Sequence, residues 1–295
     1  MEKRKKKRGD RHDATWLRDI QPMNQIMPVL MPNRCDNEAY MRVDIDTAPL
    51  HAYLDRKNEG LEEDKYTLFH LVCAAVAKTF TLRPGMNRFI CSNRVYQRNN
   101  VTLAFVVKKK FADKAEEGLA FIEYEPKDTL DHFHEKIMKV IHKTRRVDQK
   151  DPTTGAMEII HKVPHFVTVF LTKLLRWLDN RDIAPRSVVG EDPNHASVFL
   201  SNLGSIGMDC GYHHLVNWGT NSCFIVIGKI YKKKVLLENG DEEIREFLPL
   251  GVTLDERIAD GYYYAKSIAL IKELMAHPEL LDQPADTPVE YELKR

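Results

Sequence analysis

No run of about 18 consecutive apolar residues occurs in this chain, so no membrane-crossing helix is expected. Cysteine is sparse and unpatterned. The five cysteines (Cys35, Cys73, Cys91, Cys210 and Cys223) are odd in number and widely spaced, with no CxxC pair. That argues against a disulfide framework and a structural zinc site, and for free thiols in a reducing cytoplasm. Charge of one sign is missing too: the formal net charge is +1 over 295 residues, so no global field selects nucleic acid or acidic lipid. Neither GxGxxG nor GxxxxGK[ST] is present, and nucleotide-phosphate chemistry has no support. With 43% hydrophobic and 29% charged residues, what is left is an ordinary globular protein long enough to bury a sizeable core.

The charge is unevenly placed. Met1 to Arg11 reads MEKRKKKRGDR, basic and without an apolar residue after Met1. A secretory signal would follow such a run with apolar residues, and here the chain stays polar from Asp13. Residues 1–13 are expected to form a solvated, disordered tail, with contact to nucleic acid or a membrane surface as the competing reading. Pro164 to Leu178 (PHFVTVFLTKLLRWL) is the most apolar helical segment. Three readings stay open for it: a core or subunit-contact helix, a wall for an acyl chain, or a membrane-surface helix.

The periodicity predicts a mixture of strands and helices without a βαβ rhythm. Tyr40 to Asp46 alternates apolar with charged and reads as a half-wet strand, leading into a helix with Thr47 near its cap and Pro49 in its first turn. Residues 66–81 read as a largely buried helix. Short strands are expected at 89–91, 95–96, 101–107 and 118–124, and a helix at 129–145 whose His132, His134 and His142 face solvent. Three prolines in residues 22–35 favour an extended arm. After a loop at 180–193 come strands at 198–201, 223–230, 235–237 and 247–254, a turn at Asn239-Gly240, and a last helix at 262–275.

Two segments join a strand end to chemistry-bearing residues. One is Phe199-Leu200-Ser201-Asn202-Leu203-Gly204-Ser205-Ile206-Gly207. The other is Leu254-Asp255-Glu256-Arg257-Ile258-Ala259-Asp260-Gly261. Strand ends beside helix starts are where sites form. Together these residues resemble the catalytic domain of the 2-oxoacid dehydrogenase (dihydrolipoyl) acyltransferases, within the chloramphenicol acetyltransferase superfamily. Its members carry Ser-Asn-Leu-Gly-x-x-Gly followed some fifty residues later by Asp-His-Arg-x-x-Asp-Gly. Asn217 and the strand from Phe224 to Ile230 also resemble the family, and the likeness extends over residues 14–280, leaving 281–295 as a C-terminal tail.

The resemblance implies an α/β two-layer sandwich with a mixed β-sheet, the fold of the coenzyme-A-dependent acyltransferases, assembled as a homotrimer with its active sites at subunit interfaces. It implies an acyl-CoA or lipoyl-type thioester as substrate, with no permanently bound cofactor, no metal and no nucleic-acid partner. By position, Ser201 would donate to the tetrahedral oxyanion, and Asp260 would hold the site through charged hydrogen bonds. Asn202, Gly204, His213, His214, Asn217 and Arg257 would line the substrate channel. The family's catalytic histidine is replaced here by Glu256. A free Glu has a pKa near 4.3 against about 8.5 for a thiol, so taking the thiol proton is uphill by roughly 5.7 kcal/mol. Burial can raise a Glu by up to about 3–5 units and close that gap. Three readings follow: an acyltransferase with Glu256 as base or substrate anchor, with His213 or His214 as a substitute base; a catalytically impaired relative acting as an acyl-CoA-binding or scaffold protein; and a membrane-surface protein.

Overall fold

A computed structural model describes residues 6–108, 117–146, 163–190 and 192–293. Its main sheet has seven strands: β2 (Glu38–Asp46), β5 (Val101–Lys108), β6 (Glu117–Tyr124), β7 (Val198–Asn202), β8 (Cys223–Ile227), β9 (Tyr231–Leu236) and β10 (Glu242–Asp255). The order is β2-β10-β8-β7-β5-β6, with β9 pairing the outer half of β10. β7 runs parallel to β5 and β8, and the other pairs are antiparallel, so the sheet is mixed as expected. A second sheet, β1 (Ala14–Trp16), β4 (Arg94–Arg98) and β3 (Arg88–Cys91), lies beside it.

Helices α2 (Ala48–Lys57), α3 (Leu68–Leu82), α4 (Leu130–Arg146) and α7 (Gly261–Ala276) cover one face. The strand alternation explains which side chains go where: Val198 and Leu200 of β7, and Leu250, Val252 and Leu254 of β10, join α3 and α7 in one continuous core. α3 is buried over most of its length and starts in a capping box in which His70 stands in for the usual Glu. The Nδ1 of His70 accepts the Thr67 N–H at 3.0 Å, so the ring is neutral; burial pushes its pKa down to about 3.

Several expectations fail for identifiable reasons. Residues 22–30 form helix α1 (Pro22–Leu30) rather than an extended arm. Pro22 sits in the first turn, where a missing N–H costs nothing, and the interior Pro28 is absorbed in a short helix. His134 is buried, not solvated: its ring stacks 3.9 Å from Tyr66 and edge-on to His70. The start of the C-terminal tail, residues 281–285, packs against the body of the protein. Buried Lys78 donates to the carbonyls of Leu280, Gln283 and Pro284, and Leu281 and Ala285 enter the core.

The basic N-terminal segment is also ordered from residue 6. Arg11 is buried, and its guanidinium donates to the Asp13 carboxylate and to the Asp179 carbonyl and carboxylate. Asp179 lies at the end of α5 (His165–Asn180) and also faces His195, which is held 3.1 Å from Asp179 and 3.3 Å from Asp192. Burial alone would push the His195 imidazolium down, but the hydrogen bonds and charges of both aspartates outweigh it and raise its pKa above 6.5. A raised folded pKa stabilises fully below the unfolded value and is lost as pH rises through the folded one. Denaturant unfolding should therefore show stability falling from about pH 6.5 upward, and His195→Asn should remove that slope. An unchanged slope in the variant would clear His195 of this role.

Candidate active site

Phe199 and Ser201 point from β7 to the sheet face opposite the helices, by strand alternation. Ser201 is half-buried there, at the C-terminal end of its strand. The turn after it is self-contained. The Asn202 side chain accepts the Ser205 N–H at 3.2 Å, and the Ser205 hydroxyl donates back to the Asn202 carbonyl at 2.7 Å. Gly207 closes the turn at φ +78°, a conformation natural to glycine. A side chain at position 204 would strike the Gly228 carbonyl at 2.5 Å. Asn202 and Gly204 thus build the turn that presents Ser201.

The chain then crosses the same sheet face. Added Cβ atoms at Gly228 and Gly251 would collide with the backbone of Cys210 and Gly211, at 2.3 and 2.1 Å, so this crossing segment rests directly on β8 and β10. Tyr212 meets Tyr40, and His213 stacks on Phe224 at 4.1 Å and 10°. The Nδ1 of His213 lies 2.7 Å from the His214 carbonyl. Only a protonated Nδ1 can donate there, so in the neutral tautomer this bond selects, Nε2 is the acceptor. Leu215 is buried against Phe224 and Val226. Asn217 accepts the Arg34 N–H at 2.7 Å and faces the exposed Cys35. Arg34 is buried, and its guanidinium ties down the carbonyls of Val216, Gly219 and Ile90.

At the other end of β10, Asp255 and Arg257 are almost fully buried and form a two-pronged ion pair, Nε to Oδ1 at 2.8 Å and Nη2 to Oδ2 at 2.6 Å. Arg257 also donates to the Met31 and Pro32 carbonyls, and Arg34 approaches Asp255 at 3.8 Å. The Tyr264 hydroxyl donates to the Asp255 carbonyl. Arg257 is therefore a framework residue and does not reach a substrate channel, contrary to expectation. Asp260 departs as well: it is exposed and caps α7 by accepting the Tyr263 N–H at 2.7 Å. The charged hydrogen bonds expected of Asp260 belong to Asp255. Sequence reasoning passed over Asp255 and Arg34; Asp255 stood in the quoted motif, but no local signal marks Arg34. Between the two buried ions, Glu256 turns outward, exposed, its N–H held by the Asn37 carbonyl.

Register places the two ends relative to each other. Ser201 pairs with Val226, and Val226 with Gly251. β10 runs opposite to β7, so Glu256 lies five positions further along, or roughly 17 Å at strand rise, at the opposite end of the sheet. Ser201 and Glu256 of one protomer do not meet. His213, stacked on Phe224 beside Phe199, lies on the Ser201 face. Among the described residues one trio has metal-ligand spacing, His12, Asp13 and Asp182, but Arg11 already pairs with Asp13 and lies 4.0 Å from Asp182.

Residues 184–282, which hold both Ser201 and Glu256, match the family model of the 2-oxoacid dehydrogenases acyltransferase (catalytic domain). Solved structures match nearly the whole chain. A probable dihydrolipoamide acetyltransferase from Listeria monocytogenes is 16% identical, with TM-score 0.56, over 86% of this chain and 88% of that one. The Azotobacter vinelandii dihydrolipoamide acetyltransferase is 15% identical, with TM-score 0.58, over 89% and 93%; its structure addresses the role of a serine, a histidine and an asparagine in the catalytic mechanism. A chloramphenicol acetyltransferase is 11% identical, with TM-score 0.54, over 89% and 99%. The chain has the chloramphenicol acetyltransferase-like fold. The segment matched by the family model is the one that holds Ser201, His213 and Glu256. No curated protein matches the chain.

Proposed function

We propose that this protein moves an acyl group between a thioester, of coenzyme A or lipoamide, and an acceptor, at sites shared between neighbouring protomers of a homotrimer. The observation that carries the reading is the pairing of two prepared half-sites at opposite ends of one sheet. Ser201 is presented by a closed turn, and Glu256 is turned outward by the Asp255–Arg257 pair. Each half lacks the other within a protomer, and head-to-tail contacts around a closed ring would bring unlike ends together.

In this reaction the acceptor thiol or hydroxyl gives its proton to Glu256 and bonds to the acyl carbon. The oxyanion takes a hydrogen bond from the Ser201 hydroxyl of the adjacent protomer. Collapse breaks the carbon–sulfur bond of the donor thioester, and the departing thiolate takes the proton back. A single oxyanion donor of this kind contributes about 2.7–4 kcal/mol.

One observation favours a second base. The acceptor Nε2 of His213 and its place on the Ser201 face make His213 the alternative proton acceptor, with Glu256 then anchoring substrate. The direct test follows the conversion of short- and medium-chain acyl-CoA and dihydrolipoamide to free coenzyme A and acyl-dihydrolipoamide, each separated and quantified. Turnover supports the transferase. Ligand-induced stabilisation without formation of acyl-dihydrolipoamide supports instead an acyl-CoA-binding or scaffold protein.

A further inference from the structure

α5 is nearly naked. Of its sixteen residues only Asp179 is buried, while Phe166, Phe170, Leu174 and Trp177 are 74, 63, 40 and 48% exposed. These four fall on one stripe at helical spacing. From Val163 to Leu178 the chain has no acid, and Lys173 and Arg176 are both exposed. The end of α5 is also where the basic N-terminal segment docks: Arg11 on Asp179, Lys6 3.6 Å from Asp182, and His12 on Asp182. Arg181 lies over the Trp177 ring at 3.9 Å. The fold thus brings residues 6–12, with Lys6, Lys7 and Arg8 exposed, to the end of an exposed aromatic helix.

We infer that α5 and the N-terminal basic segment together form a docking surface for an anionic membrane. The chemistry selects this occupant. The described charges on the exposed part of the helix are positive, and the acids around its end, Asp10, Asp13, Asp179 and Asp182, are each already paired with a cation. An anionic lipid surface complements the positive charges, while the stripe of phenylalanine, leucine and tryptophan enters the headgroup–acyl boundary. No described helix is long and apolar enough to cross a membrane, so the helix lies along the surface. Stable attachment takes two signals, and here an apolar stripe runs along the helix while basic residues sit at its end. This inference is independent of the acyl-transfer reading.

The test is flotation of the full chain with vesicles of equimolar phosphatidylcholine and phosphatidylglycerol, against vesicles of phosphatidylcholine alone. Binding is expected to the anionic vesicles, weakened by salt, with a blue shift of Trp177 emission that is lost in Trp177→Phe. The double variant Phe166→Ser/Phe170→Ser changes only exposed side chains and should bind on the order of tenfold or more less tightly, with acyl transfer unchanged. Absence of binding to either vesicle, or binding unaffected by the double variant, overturns the inference. A change in oligomer mass in that variant without any change in vesicle binding assigns the stripe to a second copy and overturns it equally.

Discussion

Glu256→Gln is expected to lower thioester-dependent acyl transfer by about 10²–10⁴-fold, the usual contribution of a general base. The unfolding midpoint should not move, because the side chain is exposed and only its backbone N–H is bonded within the protomer. Gln keeps the shape and removes the proton acceptor, so a loss in kcat with KM nearly intact would mark a role in the chemical step. His213→Asn is the companion measurement. If that variant carries the loss and Glu256→Gln raises only KM, the base sits on the crossing segment and Glu256 anchors substrate.

The second large effect is on stability. Asp255→Asn leaves Arg257 buried with its main partner gone, and breaking a buried ion pair from one side costs about 3–5 kcal/mol. Arg257→Met should cost a similar amount, since it strands the Asp255 carboxylate beside Arg34 alone. The double variant Asp255→Leu/Arg257→Met should cost less than the sum of the single losses, because neither ion is then left unpaired. Equilibrium unfolding in urea reads all three. Losses that simply add would show that the pair does not act as a unit.

The architecture was largely legible because it depends on period. The alternation at Tyr40 to Asp46 and the apolar faces of residues 66–81 are strong enough to set elements wherever the chain packs. What escaped depends on tertiary partners. Pro28 sits inside a helix, although propensity alone argues against it. His134 reads as a surface residue until Tyr66 and His70 enclose it. For the candidate site, the motif marks two strand ends, but roles within it do not follow from position. Asp255 and Asp260 are both acids of one short motif, yet one is buried in an ion pair and the other caps a helix. Arg34, more than 180 residues before the segment it holds, has no local pattern to announce it. The distance between Ser201 and Glu256 was likewise invisible until strand register placed them at opposite ends of the sheet.

The most direct measurement is the activity of mixed oligomers made by co-expressing Ser201→Ala with Glu256→Gln. Each variant alone should be nearly inactive. If every site takes Ser201 from one protomer and Glu256 from its neighbour, random mixing rebuilds both groups in about a quarter of the sites, and acyl transfer should return to about a quarter of the wild-type rate. Activity no greater than that of the separate variants would contradict a site shared between protomers.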